Sequence, residues 1–425
     1  MSDWFGTKWV YSCCHEHCGI THSRDGIASL KAGVDLEMPF PVMRSRRVID
    51  QVRSGELDER YVDTAVRRMI ETASKTAAPL ARLPERAFDN DRGRSLICRQ
   101  AAAEGMVLLR NDEQLLPLRA DANILVVGEH ADRPSISGGG SALLNPPYVS
   151  APLDAIQRAT SGKVAYHPGI PTWRLVPELD TRFTEEVSIS LTNAGEEAPL
   201  WKDRRPKASI SLLDQRIPGL GPDFTTTLEA QITPVESGTH TLSVFCVAET
   251  HVYLDDALLA TFKPPHVSVE QFLFERFDFE NLITVDLEAD KAQTLRVESK
   301  SKVRTGHEPP AQGLRVGLVK DVDVDAALEQ LDGLAAQADH VVVMTGLNPD
   351  WEGEGSDRVD LRLPRQQEEM LRRLAKHGHK VVLVNQSGGP VDLTCANGIS
   401  SVVQAFYGGM ECGNGQLRVP FLEER

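Results

Sequence analysis

The sequence predicts an α/β layered protein with a largely parallel sheet, interrupted near its middle by an all-β stretch. Three observations carry this. Ile124-Leu125-Val126-Val127-Gly128 and His340-Val341-Val342-Val343-Met344 are continuous apolar runs, the pattern of strands buried on both faces. Helical periodicities alternate with such runs on both sides of the chain's centre, the order that builds helices onto a parallel sheet. Between residues 171 and 316 the pattern is instead period-two, with no helical stretch of comparable strength.

In chain order, residues 24–76 read as loop, short strand and helices. Val34-Asp35-Leu36-Glu37-Met38, closed by Pro39 and Pro41, is the strand. Asp58 is the expected N-cap of a helix whose apolar positions are Val62, Ala65, Val66, Met69 and Ile70. A proline-containing linker is expected over about 77–92. A second helical pattern covers 94–109 and ends in Val107-Leu108-Leu109. In the centre, Thr225–Ile232, Thr239–Val247 and Val252–Phe262 read as strands, with turns at Glu236-Ser237-Gly238 and Asp255-Asp256. Pro364 is expected at the first position of a helix reaching about Gly378. Lys380–Asn385 and Ser401–Tyr407 complete the set of buried strands.

The 425 residues suffice for two or three domains with their own cores. A formal net charge of −15 argues against nucleic acid or an anionic membrane as partner and suits a neutral ligand such as a sugar. No apolar run reaches the length of a membrane span. The N-terminus shows no basic region followed by an apolar stretch, so no signal peptide is read and the compartment stays open. Seven cysteines in so long a chain do not make a disulfide framework. Cys98, Cys246, Cys395 and Cys412 are scattered, and most read as core thiols. Cys13, Cys14 and Cys18 lie within Cys-Cys-His-Glu-His-Cys, but six adjacent donors lack the paired spacing of a zinc site, and no metal is expected. Gly138–Gly140 is not followed by Lys-Ser or Lys-Thr, so a nucleotide site is not expected either. Glu352, Glu354, Asp357 and Asp360 crowd one loop, which by itself reads as a solvated acidic face before it reads as a site. Asp357 and Arg358 read as a structural ion pair.

Seven segments in order resemble glycoside hydrolase family 3, the β-glucosidase-type enzymes. They are Met1-Ser2-Asp3-Trp4, Lys31–Pro39, Ala102–Asn111, Gly138-Gly139-Gly140-Ser141-Ala142, Glu354-Gly355-Ser356-Asp357-Arg358, Gln386-Ser387-Gly388 and Gln404–Gly409. The central β region is similar to the protective-antigen-type domain carried by some members, most visibly at Val252-Tyr253-Leu254-Asp255-Asp256.

The resemblance implies a C-terminal remnant of a (β/α) barrel over 1–78, a linker and helix over 79–100, and an α/β sandwich domain in two parts, 101–170 and 317–425. The inserted all-β domain occupies 171–316 between those parts. It implies a retaining hydrolase of terminal β-D-glucosyl residues, with Asp3 matching the nucleophile, Glu354 the acid/base and Trp4 a face for stacking on the sugar. Such a pair stands about 5–5.5 Å apart, and the acid/base needs an environment that favours its protonated form. β-Linked glucosides or oligosaccharides are the implied partners, without cofactor, nucleic acid or membrane. A homo-oligomer is compatible with this reading, and family members are often secreted. The alternative is a carbohydrate-binding remnant that does not cleave.

The chain departs from the family pattern in three places. The preceding barrel of roughly two hundred or more residues has no counterpart, so both ends read as truncated and activity as weak or absent. About thirteen residues near Lys8 to Ile20, including the Cys/His cluster, interrupt the pattern and read as an unremoved intron or a gene-model error. After Gly413-Asn414 the pattern fades.

Overall fold

The computed structural model describes residues 26–38, 44–82, 91–212, 217–263, 280–301, 312–354 and 357–417. The chain divides into two compact units, Met1–Asp91 and Arg92–Arg425.

The first unit contains α1 (Gly26–Lys31), α2 (Ser45–Ser54) and α3 (Arg60–Arg82). Ile27, Leu30, Leu57 and Ala65 form its buried core, with Val48, Val52, Tyr61 and Val62 packed against it. Gly55 ends α2 in the left-handed region, φ 80°, and its N–H donates to Val52 O, the αL stop that glycine favours. The Asp58 carboxylate accepts the Arg60 N–H at 3.0 Å, in keeping with its expected place at the helix start. Two expectations fail here. Residues 34–37 form no strand: the Arg44 guanidinium occupies the Val34 carbonyl at 2.5 Å, and the Arg44 N–H donates to the Glu37 carboxylate at 3.1 Å. The helix also continues to Arg82, well into the stretch expected to be linker.

The second unit opens with α4 (Asp91–Glu104) and β1 (Val107–Asn111). Val107-Leu108-Leu109 is therefore a strand rather than the end of a helix. Gly105 stops the helix, and β1 pairs antiparallel with β16 (Ser401–Gln404), nearly three hundred residues later. Four further strands complete a six-stranded mixed sheet: β2 (Ile124–Val127), β3 (Val164–His167), β14 (His340–Gly346) and β15 (Val381–Gln386). The order is β1-β16-β15-β14-β2-β3, parallel throughout except at β1. Strand β2 is buried at every position, as its unbroken apolar run requires.

Leu125, Val127, Val341, Val343 and Leu383 pack on one face of this sheet with α7 (Val324–Gln337) and α8 (Arg365–Leu374). Ile124, Val126, Val342, Met344 and Val384 pack on the other with the short α5 (Glu129–Asp132) and α6 (Pro152–Ala159). Asp323 caps α7, accepting the Ala326 N–H at 3.1 Å. Pro364 sits at the N-cap of α8, one position earlier than expected, and the α-helix gives way at Ala375 to a 3₁₀ turn running to Lys380.

Residues 187–320 supply two antiparallel sheets. The strands are β4 (Val187–Asn193), β5 (Trp201–Arg205), β6 (Ser209–Leu212), β7 (Phe224–Ile232), β8 (Gly238–Cys246), β9 (Thr250–Leu254), β10 (Ala257–Phe262), β11 (Asn281–Leu287), β12 (Gln293–Lys300) and β13 (Gln312–Lys320). One sheet has the order β10-β9-β12-β7-β4-β5, the other β11-β8-β13-β6. Leu228, Val297, Val244 and Val316 belong to the shared core. Every second residue of β7 is buried, the alternation read from its sequence. Asp255 and Asp256, at φ 46° and 64°, turn β9 into β10 where the turn was expected, and Val252–Phe262 is a hairpin about it. The fold is thus α/β with mixed sheets.

Candidate functional site

The parallel strands all deliver their chains to one edge of the sheet. Gly128 follows β2 at φ 104°, and a Cβ there would lie 2.1 Å from Met344 O, so only glycine lets the chain leave beside β14. After β2 the chain reaches Gly138–Gly140, and after β14 it runs through Leu347 to Glu354.

These two exits are stitched together. Gly139 and Gly353 form a parallel bridge, and the Gly139 N–H donates to Glu352 O at 2.7 Å. A Cβ on Gly139 would come within 2.7 Å of Pro349 O. One on Gly140, at φ 69°, would come within 2.7 Å of the Glu354 Cβ. The triple glycine is therefore a bed for the glutamate loop, not a phosphate cradle.

Glu354 stands exposed on this bed, its Oε2 accepting the Ser141 N–H at 3.0 Å. The glycines beneath it offer no side-chain wall. Two positions earlier, Glu352 has the opposite environment, with a side chain only 14 % exposed. Its carboxylate accepts the N–H groups of Gly388 at 2.6 Å and Gly389 at 2.8 Å, and the Tyr407 hydroxyl. Arg358 approaches it at 3.8 Å. Burial and the adjacent Glu352 push the Tyr407 phenol well above its ordinary range. Arg358 also donates to Pro390 O at 2.7 Å, so its ion-pair partner is Glu352 and not the expected Asp357. Trp351 fixes the loop on its other side, donating from Nε1 to Thr172 O at 2.8 Å. An open cleft of ≈ 670 Å³ lies beside the loop, lined by Trp351–Gly353 and Asp357–Leu361.

The structure thus gathers four of the seven sequence segments: Gly138–Ala142, the Glu354 segment, Gln386–Gly388 and Gln404–Gly409. Asp3, Trp4 and the Cys13, Cys14 and Cys18 cluster lie outside the described residues. Glu352 was legible only as one of four acids in a loop, since its three hydrogen-bond donors sit 36 to 55 residues away. Of the scattered cysteines, Cys246 and Cys412 are buried and Cys98 and Cys395 half-buried, all four free. Among the described residues no group of three or more His, Cys, Asp or Glu is placed to hold a metal ion. No described helix is long and apolar enough to cross a membrane.

The glycine loop and its carboxylate lie at the C-terminal edge of an open α/β sheet, the edge where proteins of the α/β class commonly bind ligands. Residues 106–421 match the Glycosyl hydrolase family 3 C-terminal domain, and the chain belongs to that family. It is 30 % identical over 438 residues to a probable β-glucosidase I of Aspergillus clavatus, covering 98 % of this chain and 50 % of that protein. It is 31 % identical over 445 residues to a probable β-glucosidase J of Emericella nidulans, covering 99 % and 50 %. A crystal structure of a β-glucosidase from Kluyveromyces marxianus in complex with glucose superposes with a TM-score of 0.83 at 27 % identity, covering 99 % of this chain and 50 % of that one. A β-glucosidase from Streptomyces venezuelae, TM-score 0.57 at 20 % identity, covering 93 % of this chain and 47 % of that one, shares the fold. The chain spans about half the length of the curated relatives it matches.

Proposed function

We propose that this protein is a retaining β-glucosidase that removes terminal non-reducing β-D-glucosyl residues, with Asp3 as nucleophile and Glu354 as acid/base. The supporting observation is the presentation of Glu354. It sits on an outward-facing loop whose neighbour Glu352 is locked to two backbone N–H groups, a phenol and a guanidinium. A reactive carboxyl has to face the substrate, while its backbone has to hold still to about half an ångström. The names of the relatives support the same substrate class.

In this reading the Asp3 carboxylate attacks the anomeric carbon as the glycosidic C–O bond breaks. Glu354 gives its proton to the departing oxygen. Glu354, now a carboxylate, takes a proton from water, and the resulting hydroxide releases glucose and restores Asp3. Trp4 stacks on the sugar face. The antiparallel sheets act as a protective-antigen-type domain over 171–316, inserted between two parts of an α/β sandwich at 101–170 and 317–425. The first 78 residues serve as barrel-derived structure, joined by a linker and helix over 79–100.

The test is release of nitrophenol from p-nitrophenyl β-glucoside by the purified chain beside Asp3→Ala and Glu354→Ala. Turnover lost in both variants is the expected result, and turnover undiminished in Glu354→Ala overturns the assignment. A second reading, sugar binding without cleavage, is favoured by the exposure of Glu354, which stands open to solvent. No turnover in any version, with glucoside binding that survives Glu354→Ala, selects it.

A further inference from the structure

The strand order β1-β16-β15-β14-β2-β3 contains a reversal. From β2 the chain moves outward to β3, whereas from β14 it moves the other way to β15. In open α/β sheets the crevice beyond the carboxyl ends of the two strands at such a point is where small ligands settle. Here that crevice is a cavity of ≈ 370 Å³. Glu129 and His130 line it from the exit of β2, and Asn348 and Asp350 from the exit of β14. Arg315 of β13 contributes from the antiparallel sheets. It shares no lining residue with the cleft beside Glu352.

We propose that this cavity binds a neutral, polyhydroxylated molecule of monosaccharide size. Two lining side chains keep buried polar atoms that no group among the described residues satisfies, His130 Nε2 and Glu178 Oε1. His130 is only 3 % exposed, and its Nδ1 is already engaged with the Ser135 hydroxyl at 3.2 Å. Buried polar atoms are almost always paired, so two unpaired ones on residues of one cavity wall point to a hydroxylated occupant. The volume is that of a small-molecule site.

The charge pattern selects a neutral occupant. Four acidic and four basic side chains line the cavity, and they balance. Much of this charge is already committed, with Asp180 held by Arg133 at 3.2 Å and by Arg182 at 2.9 Å. Arg315 pairs with Glu280 at 3.5 Å. A charged ligand would meet its own sign as often as the opposite one, whereas hydroxyls can donate to carboxylates and accept from guanidinium groups. Trp173 adds an aromatic side chain to the wall, against which a sugar ring can pack. Burial raises the carboxyls of Glu129 and Asp350 from their ordinary range. Because Asp350 lies four residues before Glu354 on the same loop, an occupant also bears on how that loop is held.

The test uses the full chain with ¹⁵N-labelled histidine, titrated with D-glucose and separately with myo-inositol. The His130 signals are assigned through His130→Gln. The expected result is a saturable shift of the His130 Nε2 signal whose midpoint matches the Kd from calorimetry. Glu178→Ala and Asp350→Asn weaken that binding by about tenfold or more, Glu354→Gln leaves it within about twofold, and glucuronate and glucosamine bind about tenfold more weakly than glucose. A shift with glucose alone identifies a free sugar, and a shift with both probes identifies polyols in general. Glucose binding that leaves the His130 signals unmoved, or that is lost in Glu354→Gln but kept in Glu178→Ala, overturns the proposal by placing the sugar elsewhere. The absence of saturable binding by either probe overturns it too. The wild-type His130 signals report directly, so the conclusion survives a cavity variant that fails to fold.

Discussion

The α/β layer and the two antiparallel sheets each enclose a dry apolar core, yet they distribute polar chemistry in opposite ways. In the layer, β2, β14, β15 and β16 run parallel, so their exits share one edge and bring Gly139, Glu352, Gly388 and Tyr407 within bonding distance. In the antiparallel sheets successive strands reverse, and their exits are divided between two ends. Polar groups there turn inward instead. Gln312, fully buried, donates to Thr226 Oγ1 at 2.9 Å and to Ser299 O at 3.2 Å, and Thr250 donates to Ser299 Oγ at 2.8 Å. The difference teaches that parallel orientation gathers reactive groups from distant segments, while antiparallel pairing consumes its polar groups in holding itself together.

The largest effect expected from this contrast is at the layer's edge. Glu354→Ala lowers β-glucoside hydrolysis by about 10²–10⁴-fold, the usual contribution of a general acid/base, whereas Gln312→Ala in the sheets acts on stability. Steady-state kinetics beside thermal melts separates the two. Equal loss of turnover in both variants, at full folding, would erase the contrast.

Core truncations come next. Leu125 in the layer and Leu228 in the sheets are both fully buried, and Leu→Ala at either costs about 2–5 kcal/mol. Both lie in the same compact unit, so both variants are expected to shift one shared urea transition. Two transitions, each moved by only one variant, would show that the layer and the sheets unfold independently.

A pH effect belongs to the layer. Complete burial lowers the His130 imidazole to about 4, against about 6.5 in an unfolded chain. The folded value is the depressed one, so the unfolded chain takes up a proton that the folded chain refuses. Stability from this group is fully present above pH 6.5 and declines as pH falls towards 4, by roughly 3 kcal/mol in all. Urea midpoints between pH 7 and 4 should flatten in His130→Gln relative to the wild type. The smallest effect is at a cap: Asp323→Ala, which removes the acceptor for the Ala326 N–H, costs about 1 kcal/mol. A change below a few tenths would mean that water replaces the cap.

The same contrast explains what the sequence disclosed. Buried parallel strands and alternating β7 were legible because each is a local pattern. Val107–Leu109 was misread as helix because its strand identity comes from pairing with β16, far along the chain. Residues 34–37 were misread as strand because the partner of the Val34 carbonyl is a side chain, the Arg44 guanidinium, ten residues on. Glu354 could be singled out through resemblance, since an acid followed by glycine is common. The anchoring of Glu352 could not be seen, because its donors arrive from two other strand exits. Asp3 and Trp4 remain readings from sequence.

The sheet of the α/β layer has a consequence for how the chain is made. Asn123 N–H, at the foot of β2, donates to an Asp339 carboxylate 216 residues further on. At ~5–20 residues per second, β2 leaves the ribosome roughly 10–40 s before the strand that will cover its flank. During that interval Ile124–Val127 is an apolar strand with an open edge, while the intervening antiparallel sheets can already be folding. The region that carries the glutamate loop therefore closes only after the antiparallel sheets have been made, and the open edge of β2 depends on protection from aggregation until β14 appears.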